Sequence, residues 1–146
     1  MARFTKIKIE FTIIFDNNTD MKTVTDETGL TPNSAINKSD AKNPFYKVAD
    51  KPDDWAYEDE HMPASWTLET EYIKTVVLEE VTDSLITKIK PRIDNIISVL
   101  QKYDGTAHFS IVTVINRNYK PALCFNEEFI EIISLLKATV DIDIYF

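Results

Sequence analysis

A chain of 146 residues, 44% hydrophobic and 11% aromatic with only two glycines, has the composition of a folded domain, and its length suffices to bury about two-thirds of the unfolded surface. Sixteen basic residues against 24 acidic ones leave a net charge of −8, which disfavours direct binding of nucleic acid or anionic membrane and favours a basic partner, although solubility alone also accounts for an acidic surface. A single cysteine, Cys124, excludes an internal disulfide and fits a reducing compartment.

No apolar run approaches the ~20 residues needed to span a bilayer. Met1 to Lys6 lacks the apolar core of a signal peptide, so the expected location is the cytoplasm. The whole chain, residues 1–146, reads as one α+β domain.

From about Phe4 to Phe15, Ile7, Ile9, Phe11, Ile13 and Phe15 alternate with Lys6, Lys8, Glu10 and Thr12. Successive side chains on a strand point to opposite faces, so this is a strand with one oily and one wet face. After Asp16-Asn17-Asn18 a short helix starts with Thr19 or Asp20 as its cap. It ends at Gly29, with Leu30 as the hydrophobic contact and Pro32 blocking continuation.

From about Asn33 to Pro63 no periodicity is sustained. This stretch reads as a long loop carrying Pro44, Pro52 and Pro63 and an acidic run from Asp50 to Glu60. Loops this long inside a small domain are usually functional or disordered. Alternation returns from Ala64 to Ile73, where Trp66, Leu68 and Tyr72 form the apolar set. From Thr75 to Tyr103 the apolar residues recur at helical spacing, and Pro91 must kink the run or split it in two. Gly105 ends it.

Ala107 to Ile115 reads as a central strand, apolar on both faces. A short strand follows around Ala122 to Phe125. A helix capped by Asn126, with Glu127 and Glu128 at its positive end, turns Phe129, Ile130, Ile133 and Leu136 inward. A last strand alternates Val140, Ile142, Ile144 and Phe146 with Asp141, Asp143 and Tyr145.

The order is strand, helix, long loop, strand, broken helix, two strands, helix, strand. The economical architecture is an α+β two-layer sandwich, a mixed, mostly antiparallel sheet of about five strands with helices on one face. The expected core contains Ile9, Phe11, Ile13, Trp66, Leu68, Val81, Leu85, Phe109, Ile111, Ile133, Ile142 and Ile144.

The helix end Gly29-Leu30-Thr31-Pro32, the strand Ser65-Trp66-Thr67-Leu68-Glu69-Thr70 and the closing Asp141-Ile142-Asp143-Ile144-Tyr145 resemble a bacterial family known as domain of unknown function 4279. The resemblance runs from about Arg3 to Phe146. It departs in the acidic insertion, and in Ala138-Thr139 where a glycine-containing turn is more usual. It implies a small cytoplasmic α+β domain, brings no catalytic residues, and favours a toxin-neutralising role, since members look like accessory proteins encoded beside toxins.

No catalytic motif is present. His61, His108 and Cys124 are too few and too scattered for a zinc site or a nucleophile pair. Cys124, between Leu123 and Phe125, reads as a buried inert thiol. Pro52 and the lack of a following glycine spoil a calcium loop within the acidic run. Asp141 and Asp143, if adjacent to Lys6 and Lys8, read as ordinary cross-strand ion pairs.

The expected function is therefore non-enzymatic protein binding, most concretely an immunity-type inhibitor that occludes a basic toxin such as a nuclease. No cofactor, metal, nucleic acid or membrane is expected. Asp53, Asp54, Trp55, Tyr57, Glu58, Asp59 and Glu60 form the expected partner-binding patch, carboxylates steering a basic partner and aromatics anchoring it. Two alternatives stand beside this reading: a small-ligand or enzymatic module with a pocket between the long loop and the sheet, and a phage- or mobile-element-encoded inhibitor of a nucleic-acid enzyme. Oligomeric state is open.

Overall fold

The computed structural model describes residues 3–38 and 62–146. Strand β1 (Lys6–Phe15) shows the strict alternation expected of it, with Ile7, Ile9, Phe11, Ile13 and Phe15 all fully buried. Helix α1 (Met21–Thr28) is capped by Asp20, whose carboxylate accepts the Lys22 N–H at 3.0 Å, and it ends at Gly29 with φ 71°. That left-handed conformation carries no steric penalty in glycine. The Trp66 indole donates to Thr25 Oγ1 at 3.0 Å, fixing α1 against the sheet.

The segment after α1 contains a short strand that the sequence does not announce, β2 (Ser34–Ile36), antiparallel to β3 (Ala64–Glu69). All three of its side chains are exposed, so it has no hydrophobic alternation to betray it. The expected strand to Ile73 is broken. β3 stops at Glu69 and pairing with β1 resumes at β4 (Ile73–Lys74). Glu10 lies opposite Glu69 and Ile7 opposite Ile73, so Lys8 and Ile9 face three residues, Thr70, Glu71 and Tyr72. The extra residue makes a β-bulge, and it reverses the facing of everything beyond it. Tyr72, expected on the oily face with Trp66, is instead half exposed, its ring 4.6 Å from Lys6 Nζ on the opposite face.

Pro91 splits the long helical stretch as expected. Helix α2 (Leu78–Ile89) passes through a 3-10 turn at Lys90–Arg92 into α3 (Ile93–Lys102). The expected start at Thr75 is three residues early: Val77 is extended and bridges Ala122, and the Thr75 hydroxyl accepts the Val77 N–H at 2.9 Å.

Strand β5 (Thr106–Val114) pairs antiparallel with the far side of β1. Helix α4 (Glu127–Leu136), capped by Asn126, crosses to β6 (Thr139–Tyr145), which runs parallel to β5, a pairing that requires such a crossover. The sheet order is β2-β3-β1-β5-β6, with β4 on β1. Both edges of β5 are thereby taken, so Ala122 to Phe125 makes one bridge and no strand. Without strand geometry Cys124 is exposed and not buried, while Leu123 and Phe125 turn to the core.

The helices cover one face of the sheet. Phe11 and Phe109 stack with ring centroids 5.0 Å apart, and Phe129 of α4 meets Phe109 edge-on at 5.2 Å. The expected core residues on β1, β3, α2 and β5 are buried. On α4 the inward set is Phe129, Ile132 and Leu136, with Ile133 partly buried and Ile130 exposed. Two expected core residues fail outright: Ile142 and Ile144 are 39% and 47% exposed. They lie on the helix-covered face beside Ile111 and Thr113, but β6 is the outermost strand on that side.

Candidate functional site

The sheet face opposite the helices carries no element among the described residues, and strand register sets what it presents. One row across it runs Ser34, Thr67, Thr12, His108, Thr139. Thr12 and Thr67 hydroxyls share a hydrogen bond of 3.0 Å, and the His108 ring sits between the hydroxyls of Thr106 and Thr139. Cross-strand hydroxyl pairs of this kind stabilise a sheet and perform no chemistry by themselves.

The next row runs Glu69, Glu10, Ser110, Asp141. Lys8 Nζ lies 2.7 Å from Glu10 and 3.6 Å from Glu69. Its pKa is raised, chiefly by the hydrogen bond to Glu10 and further by the charge of both glutamates, against a partial desolvation that lowers it. The expected pairing of Lys6 and Lys8 with Asp141 and Asp143 does not form, because β5 intervenes between β1 and β6. Neither aspartate's carboxylate takes part in an ion pair or hydrogen bond among the described residues.

Below the bulge, a cleft of about 390 Å³ opens between the sheet and α2, lined by Lys8, Asn33, Glu69, Tyr72, Ser84 and Lys88 among others. Asn33 Oδ1 accepts the Glu69 N–H at 2.9 Å and helps shape it. Among the described residues no group of three or more His, Cys, Asp or Glu side chains is placed to hold a metal ion, and no helix is long and apolar enough to cross a membrane.

The expected patch of Asp53, Asp54, Trp55, Tyr57, Glu58, Asp59 and Glu60 lies outside the described residues, as does His61. The structure adds a feature that sequence reading misses, the β6 border, where exposed Ile142 and Ile144 alternate with exposed Asp141 and Asp143. The alternation is plain in the sequence; its exposure depends on strand order.

No curated protein and no solved structure matches the chain. Residues 5–146 match the family described as Domain of unknown function (DUF4279). With essentially its whole length matched, the chain belongs to that family.

Proposed function

We propose that this chain is a non-enzymatic protein-binding domain, an immunity-type inhibitor that occludes a basic toxin in the cytoplasm. The observation that carries the reading is the pair of unpaired carboxylates, Asp141 and Asp143, set among exposed apolar side chains on an acidic molecule. Charge without an internal partner steers an oppositely charged protein, and adjacent apolar area holds it once docked.

The test is capture with a tagged chain in the native host, followed by titration of the purified partner and assay of its activity. A basic protein bound and silenced at one-to-one stoichiometry is the expected result. Capture of acidic proteins only, or a bound partner that keeps full activity, overturns it.

The cleft beside the bulge supports a second reading, a small-ligand module, since Lys8, Lys88, Asn33 and Ser84 converge on it. A thermal-shift screen of small anionic metabolites separates the two: stabilisation lost in Lys88→Ala favours the ligand.

A further inference from the structure

The parallel pairing of β6 with β5 determines where its backbone points. The Ile115 N–H donates to the Tyr145 carbonyl at 2.7 Å, so Tyr145 faces its backbone towards β5. Main-chain groups alternate sides along a strand. Asp143 and Asp141 therefore also face β5, while Val140, Ile142 and Ile144 direct their N–H and C=O groups outward. Among the described residues nothing pairs with that edge.

The strand is seven residues long and contains no proline or lysine, two of the devices that blunt an exposed edge, and its only charges are Asp141 and Asp143. Its side chains divide by face. Ile142 and Ile144 are exposed on the helix side. Asp141 and Asp143 stand on the opposite side without a cation.

We propose that the β6 edge is a strand-addition site for an extended partner segment in which apolar and basic residues alternate. The inference deepens the protein-binding reading and rests on it. Such a segment continues the ladder through the outward groups of Val140, Ile142 and Ile144. Its apolar side chains extend the strip of Ile142 and Ile144, and its lysines or arginines meet Asp141 and Asp143.

A second copy of the chain fits poorly in the registers that overlap most of the strand. Any two-fold antiparallel pairing centred on Asp141, Ile142 or Asp143 sets a carboxylate directly opposite a carboxylate, and like charges in that position are destabilising. The same arrangement selects a basic strand.

The probe is a capped peptide of about seven residues, the length of β6, alternating valine and lysine, with a valine–glutamate counterpart as control. Binding to the full chain is followed by amide chemical shifts and hydrogen exchange. The expected result is shift changes confined to Thr139–Tyr145 and its neighbours, and slowed exchange at Ile142 and Ile144, with the lysine peptide only. The double variant Asp141→Lys, Asp143→Lys should lose about ten-fold or more in affinity for the lysine peptide and acquire the glutamate peptide. Its circular dichroism should match that of the parent, since both positions are exposed.

Equal response to both peptides, shift changes elsewhere, or a free chain already dimeric with protected Ile142 and Ile144 amides overturns the proposal. A captured basic partner that leaves the β6 amides unchanged refutes the edge assignment alone. A lysine peptide that binds β6 where capture yields no basic protein refutes the wider functional reading alone.

Discussion

Thr70 and Ile9 are bonded to each other twice across the bulge. The Ile9 N–H donates to Thr70 Oγ1 at 3.1 Å, and the Thr70 N–H donates to the Ile9 carbonyl at 3.0 Å. The inserted residue disrupts the ladder here, and the Thr70 hydroxyl takes the place of a main-chain acceptor. Thr70 is buried and Ile9 fully so, so neither group has water as a substitute partner. Thr70→Val keeps the shape and removes the acceptor, and it should cost about 1–3 kcal/mol, the penalty of a buried unsatisfied N–H. Thr70→Ser should recover most of that loss. Urea unfolding at unchanged slope checks both.

Phe11 and Phe109 are register partners on adjacent strands and are 0% exposed. Truncating either to alanine should destabilise by about 3–5 kcal/mol, through lost transfer energy plus the cavity left behind. The double variant should cost less than the sum, because the second truncation enlarges an existing cavity. Denaturation midpoints of the three variants decide it.

What the sequence makes legible follows from how local each signal is. β1, α1 with Asp20 and Gly29, the break at Pro91 and the Asn126 cap each depend on a residue and its near neighbours, and each forms as expected. The bulge at Thr70 to Tyr72 adds one residue between two correctly patterned halves, so the alternation looks continuous until the register is known. Ile142 and Ile144 have the same period as Ile9 and Phe11. Their exposure follows from β6 lying outermost while β1 lies at the centre, and strand order is not written in periodicity. The candidate interaction edge was hidden for the same reason, since apolar alternation reads as core wherever it occurs.

Lys137 ends α4 in the left-handed conformation with φ 49°, a region that glycine enters without steric cost. Lys137→Gly should therefore stabilise the fold by about 0.5–1 kcal/mol, as the Cβ penalty outweighs the added chain entropy. Gly105→Ala should act in the opposite direction. A Cβ there would lie 2.7 Å from Phe15 Cε1 and 2.9 Å from Ile13 Cγ2. Both neighbours are fully buried, so overpacking should cost about 1–3 kcal/mol. Thermal unfolding of the two variants under one condition reads the opposite signs.

The exposed pair of Glu27 and Lys102, 2.8 Å apart, ties α1 to α3. The hydrogen bond from Lys102, and after it Tyr103, holds the Glu27 carboxyl below its ordinary 4.5. A folded-state value below the unfolded one means that the contribution is present above pH 4.5 and is lost as pH falls through the folded value. Lys102 is raised above its ordinary 10.5, chiefly by the same bond, so its share is lost only as pH rises beyond that value. Glu27→Gln should flatten the acid side of the stability profile and leave the neutral plateau nearly unchanged, because exposed pairs are weak and screened. A steeper acid limb in Glu27→Gln than in the parent would contradict this.

Association and dissociation rates separate the acidic run from the β6 edge as parts of one partner interface. Reversing the charge at Asp53, Asp54, Glu58 and Asp59 should slow association with a basic partner, more at low salt than at high, since steering acts over a Debye length of about 10 Å at 0.1 M salt. Trp55→Ala should instead speed dissociation, because a buried aromatic anchor acts on the bound state. Ile142→Ser should resemble Trp55→Ala in raising the dissociation rate, through lost apolar contact at the strand edge. Asp143→Lys should change both rates, as its charge steers the encounter and pairs within the complex. Folding stability should change little in the charge variants. The measurement is binding kinetics at two ionic strengths with the isolated partner. Rates untouched by the four reversals and by Trp55→Ala would take the acidic run out of the interface and leave the β6 edge as its centre.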